Sequence, residues 1–198
     1  QALRLEGNAA RNAARDALLF RAARRNLNPG AEARESALEV QEGLAEYTGA
    51  VIALRSTGES IVRVARTVEV FEDQSAYSRS FAYATGPALG LLLDRYAGEW
   101  RKKLKRDSEL SLILGYALGF RPGSNPVDAA RVRGERYGFR AVAADEQARE
   151  KRVQALLAGF RARFIDGPVL QFPQTEELRR MFNPNNLVTL GSNGTVYP

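Results

Sequence analysis

Four glutamates, Glu35, Glu39, Glu42 and Glu46, follow one another at intervals of four, three and four residues. On a helix turning about 100° per residue they project within one narrow arc. Carboxylates gathered in this way are ligands for hard cations, together with carbonyl oxygens. The chain holds no His and no Cys. That excludes, within it, a Ser-His-Asp triad, an HExxH zinc site, a histidine base, a thiolate nucleophile and any disulfide. The remaining chemistry-bearing groups are Tyr77, Arg79 and Tyr83, which precede Gly86-Pro87, and arginines spread along the chain. No phosphate-cradling glycine loop, dinucleotide fingerprint or Walker pattern is present.

The element that must position the glutamates is a helix predicted from about Ala31 to Leu54. Leu38, Gln41, Leu44, Ala45, Thr48, Val51 and Ile52 occupy its broad opposite side, which predicts an amphipathic helix with its acids toward water. Gly43 and Gly49 conflict with that simple picture. Each costs about 1 kcal/mol relative to Ala in a helix interior, and both project near the acidic arc. Small residues there imply close approach to the charged face, by another helix, a ligand or a metal.

The other elements follow from periodicity and breakers. Leu3 to Arg25, rich in Ala, Arg and Leu, predicts a first helix, closed by the turn Asn26 to Gly30. Ser56-Thr57-Gly58 ends the second helix, and Glu59 to Glu72 forms a third. Ser75 to Tyr96 continues as helix, bent at Gly86-Pro87, with Leu91, Leu92 and Leu93 as core candidates. Glu109 to Gly119 is a short buried helix in which Gly115 and Gly119 are packing residues. Another helix begins near Val127, and Val142 to Phe164 is long and amphipathic, carrying Val153, Leu156, Leu157, Phe160 and Phe164. The C-terminus changes character. Gly167 to Pro173 has strand composition, Thr175 to Phe182 is a short helix, and Leu187 to Tyr197 is a hairpin around Gly191 to Gly194.

The 198 residues suffice for a substantial core, at 44% hydrophobic and 26% charged. No apolar run is long enough to span a bilayer. The net charge of +6 favours anionic partners. Its only dense run, Arg101 to Arg106, reads first as a solvated helix end, so nucleic acid is not the expected partner. Gln1 in place of an initiator Met suggests a processed or truncated product. That start and the absence of Cys are compatible with a periplasmic or secreted location.

Glu42-Gly43-Leu44-Ala45-Glu46-Tyr47 resembles the second zinc-ligand helix of gluzincin metallopeptidases, which pair an HExxH helix with a later Glu-Gly-x-Ala-x-Tyr type sequence. The resemblance implies that Glu42 is the metal ligand and that Glu46 orients a histidine from outside the ligand shell. Tyr83-Ala84-Thr85-Gly86, followed by Leu89 to Leu93, is similar to the tyrosine-plus-glycine helix of aminopeptidase-like members. It implies Tyr83 as oxyanion donor, with Arg79 pairing with Glu46 or a substrate carboxylate. The opening Leu3 to Glu6 resembles a helix lying between the two zinc motifs in a bacterial family of this type, which would place HExxH upstream of Gln1 or on another chain. The resemblance covers roughly residues 1 to 100.

The expectation is a mainly α chain. Residues 1–166 would form a helical domain carrying the ligand helix, and 167–198 a small β extension. Together they would make the C-terminal lobe of a zinc-dependent peptidase acting on peptide or protein substrates, inactive without the HExxH segment and its zinc. The alternatives are a non-catalytic helical module, or a degenerate peptidase-like scaffold, binding an anionic partner through Arg101 to Arg106. A third reading is a structural subunit whose acidic stripe docks on a basic surface.

Overall fold

The computed structural model describes residues 1–54, 56–73, 80–168, 183, 186–191 and 195–196. The chain divides into two compact units, Gln1–Gly134 and Glu135–Pro198. The first unit is a bundle of α1 (Gly7–Leu27), α2 (Ala31–Leu38), α3 (Leu44–Ala53), α4 (Thr57–Glu72), α5 (Phe81–Tyr96), α6 (Leu110–Leu118) and α7 (Pro126–Gly134). The second holds α8 (Phe139–Arg161) and two short antiparallel strands, β1 (Val188–Thr189) and β2 (Thr195–Val196). The architecture is mainly α, as expected from the sequence. The strand expected at 167–173 and the helix at 175–182 fall almost wholly outside the described residues, as do Tyr77 and the hairpin turn at 192–194.

The core of the first unit is aliphatic. Leu91, Leu92 and Leu93 are all buried, and Leu93, Leu110, Leu114 and Leu118 are the largest side chains fully withdrawn from water. Each contributes about 1.5–3 kcal/mol by leaving solvent. Arginines close the ends. Arg15 donates twice to the Leu118 carbonyl at the C-terminus of α6, at 2.6 and 3.2 Å. Arg95 holds the carbonyls of Ala2, Leu3 and Leu5, which secures the segment before α1. Ser56 caps α4 by accepting from the Glu59 amide. Gly119, at φ 60°, ends α6 in the left-handed conformation that glycine adopts without strain.

The acidic helix is built inside out relative to its amphipathic pattern. α2 and α3 are joined without a break by a π-helical segment, Glu39–Gly43. Its i→i+5 bonding adds a residue to the turn and resets the register of the two halves. Glu35, Glu39, Gly43, Tyr47 and Ala50 are the buried positions. Gln41, Ala45, Thr48, Val51 and Ile52, expected in the core, are exposed, Ile52 at 78%. Leu38 and Leu44 are half-buried. Two forces decide this outcome: α1 supplies arginines for the first two acids, and α5 comes too close at Gly43 for a broad apolar face.

That approach is backbone to backbone. A Cβ on Gly43 would lie 2.8 Å from Gly86 Cα and 2.9 Å from the Ala82 carbonyl oxygen, and a Cβ on Gly86 would meet the Gly43 backbone in return. One turn on, a Cβ on Gly90 would lie 2.7 Å from Tyr47 Cγ. Of the two glycines singled out by sequence, Gly43 meets another helix. Gly49 has nothing within 4 Å of its Cβ position, so no close approach explains it. Pro87 lies inside α5, and having no N–H it leaves the Tyr83 carbonyl without its i+4 donor.

These contacts separate the two glycines by experiment. Gly43→Ala and Gly86→Ala each force the backbones apart and should destabilise the first unit by about 2–4 kcal/mol. Gly49→Ala should instead stabilise it by about 0.5–1 kcal/mol through helix propensity. Urea denaturation followed by circular dichroism measures all three.

Candidate functional site

The glycine crossing fixes what lies beside it. Glu42 precedes Gly43 and Tyr83 sits one turn before Gly86, so the close pass of the two backbones sets these side chains next to each other. The Tyr83 hydroxyl donates to Glu42 Oε2 at 2.9 Å. Tyr83 is 45% exposed and Glu42 is also exposed, so the pair stands at the surface of the first unit. Glu46, one turn further along α3, is half-buried and accepts from Arg63 Nη2 of α4 at 3.3 Å. The hydrogen bond to Glu42 raises the Tyr83 pKa, and the negative charges of Glu42 and Glu46 add to it. Tyr83 therefore stays a protonated donor across the neutral range.

Behind this patch the charge is buried and balanced. Arg21 of α1 grips both carboxylate oxygens of Glu39, whose residue is fully buried, and Thr85 of α5 donates to Glu39 Oε1 at 2.7 Å. Arg24 and Arg25 pair with Glu35, and Arg25 also reaches Glu32 and Glu109. Burial works to raise the Glu35 pKa, but the hydrogen bond and charge of Arg24, with Arg21 and Arg25, hold it below the ordinary value. Glu109 is likewise lowered: burial opposes this, and Ser111, Glu32 and Arg25 overcome it. Glu32 is raised, chiefly because it shares a hydrogen bond with Glu109.

A third cluster lies farther along α3. The buried Tyr47 donates to Asp94 Oδ2 at 2.6 Å, Trp100 Nε1 donates to Asp94 Oδ1 at 2.8 Å, and Arg101 pairs with Asp94 at 2.6 Å. The Arg101 guanidinium lies over both the Tyr47 and Trp100 rings, 5.4 and 5.3 Å from their centroids. Burial, then the Asp94 carboxylate, pushes the Tyr47 hydroxyl up to about 12 despite Arg101.

Of the residues marked out by sequence, Glu42, Glu46 and Tyr83 come together, and Arg79 lies outside the described residues. The observed cationic partner of Glu46 is Arg63, which the sequence reading passed over. Glu39, expected on the solvent side of the acidic arc, is instead buried with Arg21 and Thr85 as partners that the sequence did not mark. The available signal was the trio Arg21, Arg24 and Arg25 facing Glu35 and Glu39 across one short turn. Among the described residues no three acidic side chains gather to hold a metal ion, and histidine and cysteine are absent from the sequence. The exposed patch thus offers two carboxylates, Glu42 and Glu46, and one phenol, fewer donors than a complete metal shell needs. No helix among the described residues is long and apolar enough to cross a membrane. Neither protein-family models, nor curated proteins, nor solved structures give a match to this chain.

Two measurements probe these clusters. Glu39→Leu strands Arg21 in a buried site and should cost about 3–5 kcal/mol, while Arg21→Met with Glu39→Leu should recover much of that loss. A double-mutant cycle of denaturation midpoints measures it. The Tyr47 hydroxyl titrates near 10 unfolded and about 12 folded, so the folded state binds its proton more tightly. Its contribution is intact below about pH 10 and is lost as the pH rises toward 12. Tyr47→Phe should flatten the alkaline fall in stability across that window.

Proposed function

We propose that this chain carries the metal-ligand glutamate and the oxyanion-stabilising tyrosine of a zinc-dependent peptidase, with the histidine ligands on an HExxH segment outside this sequence. The observation that carries the reading is the 2.9 Å hydrogen bond from Tyr83 to Glu42, two residues marked out separately by resemblance and joined by the Gly43–Gly86 crossing. A ligand carboxylate and an oxyanion donor have to stand within one substrate's reach of each other.

Zinc, when bound, would lower the pKa of a water and polarise the scissile carbonyl. The chain's own residues have narrower tasks. Glu42 supplies one carboxylate to the metal shell. Tyr83, kept protonated by its acidic neighbours, would release Glu42 and turn its one proton to the oxygen on which charge develops. Glu46, anchored by Arg63, is the carboxylate that orients an incoming imidazole. Peptides and proteins are the substrate class, and the chain by itself does not turn them over.

The test is to produce this chain joined to, or together with, the upstream coding region and to measure bound zinc by elemental analysis and peptide hydrolysis in parallel. Glu42→Gln should lower zinc affinity by about 10–100-fold. Tyr83→Phe should keep the metal and lose about 10²–10³-fold in kcat. Undiminished zinc affinity in Glu42→Gln, measured by competition with a chelator, would sink the ligand assignment, and full activity in Tyr83→Phe would sink the oxyanion assignment. The binding-module alternative draws on a basic run that is partly engaged already, since Arg101 pairs with Asp94 and Lys102 with Glu99.

A further inference from the structure

A cavity of about 980 Å³ lies among α1, α2, α4, α5 and α6. That size belongs to pockets that enclose a small molecule, about 300–1,000 Å³. Its walls are aliphatic and aromatic, with Leu18, Leu38, Val68, Phe81, Leu89 and Leu92 contributed by four different helices. It is separate from the Glu42–Tyr83 patch. Thr85 lines the cavity, and two residues apart on a helix project about 200° from each other, so Tyr83 takes another side of α5.

The polar part of the lining is one-sided and rich in donors. Arg21, Arg24 and Arg34 line the cavity from α1 and α2, and Glu35 is the carboxylate among them. Glu35 is already taken by Arg24 and Arg25. Arg21 spends its two terminal nitrogens on Glu39, and its Nε is buried with no acceptor among the described residues. Arg34 is exposed and makes no ion pair among the described residues. A buried donor without an acceptor is costly. An apolar chamber with one exposed, unpaired guanidinium, Arg34, at its edge calls for a ligand with an apolar body and an anionic, acceptor-only head.

We propose that this cavity binds a fatty-acid-like monoanion, its acyl chain among the leucines and its carboxylate at Arg34. The inference is independent of the peptidase reading, because none of the lining residues named here is assigned to that chemistry. It explains together the chamber's volume, its apolar walls and the unpaired Arg34 at its edge.

Isothermal titration of the full chain with dodecanoate, below its micellar concentration, tests the proposal, with dodecanol and acetate as comparison probes. Dodecanoate should bind saturably at one site per chain, dodecanol about tenfold more weakly, and acetate not measurably. Arg34→Gln, at an exposed position, should weaken dodecanoate by about tenfold and leave dodecanol unchanged. Ala17→Trp, also exposed and lining the cavity, should obstruct it and weaken both by at least about tenfold. Thermal melting of each variant establishes that it is folded. Absence of saturable dodecanoate binding overturns the site. Equal affinity for dodecanol overturns the anionic head, and undiminished binding in a folded Ala17→Trp overturns the location.

Discussion

The backbone contact between Gly43 and Gly86 is the constraint from which the rest of the first unit follows. Two helices can pass this closely only where neither carries a Cβ, and the next turn repeats the condition with Gly90 against the Tyr47 ring. The crossing draws α5 onto the α2–α3 helix along Glu39, Gly43 and Tyr47, so that face has to be the buried one whatever its polarity. Everything charged on it then needs a partner from α1 or α5. The exposed apolar residues Val51 and Ile52 are the other side of the same decision.

Burying Glu39 is costly in principle, because taking a carboxylate out of water costs several kcal/mol before any pairing. The structure offsets this with a two-point grip from Arg21 and a hydroxyl from Thr85, leaving Arg21 Nε as the one loose group. Such a pair adds little net stability over a well-packed apolar substitute. Its effect is on geometry. The π-helical segment begins at Glu39 and ends at Gly43, so Arg21 and Thr85 hold one end of the irregular turn while Gly86 holds the other. The Glu42 backbone lies between these two points.

Much of the fold was legible because it rests on local signals. Helix starts and stops fell close to Ser56, Gly119 and Pro126, and Leu91 to Leu93 were identifiable as core from their composition. Gly43 was legible as a place of close approach, since glycine in a helix interior needs a reason. The orientation of that helix was not legible. A regular 100° projection has no term for a π turn, which shifts register by one residue, and no term for arginines on a different helix that make acids welcome inside. Gly49 illustrates the limit from the other direction: it breaks the same local rule as Gly43, and only the position of α5 separates them. Tyr83 and Glu42 were each legible by type, but their meeting depends on a contact 43 residues apart, between Gly43 and Gly86.

The arrangement also explains how an exposed hydrogen bond can matter. A surface Tyr–Glu pair carries little stability alone, since water competes for both partners. Here the two backbones are brought together by contacts other than the pair itself. Glu42 is held by the π segment, Tyr83 by a helix that cannot slide past Gly86, and both backbones are fixed by contacts to the buried side. Glu46 is restrained by Arg63 from α4. The acidic pair and the phenol therefore stand ready at the surface with their order already supplied from beneath. The phenol has one proton and gives it to Glu42, so donation to any other acceptor requires that bond to open while the backbone beneath stays in place. The Arg21–Glu39–Thr85 contacts answer the burial of Glu39 itself and are needed whatever Glu42 does; what they give the Glu42 patch is a fixed backbone beneath it.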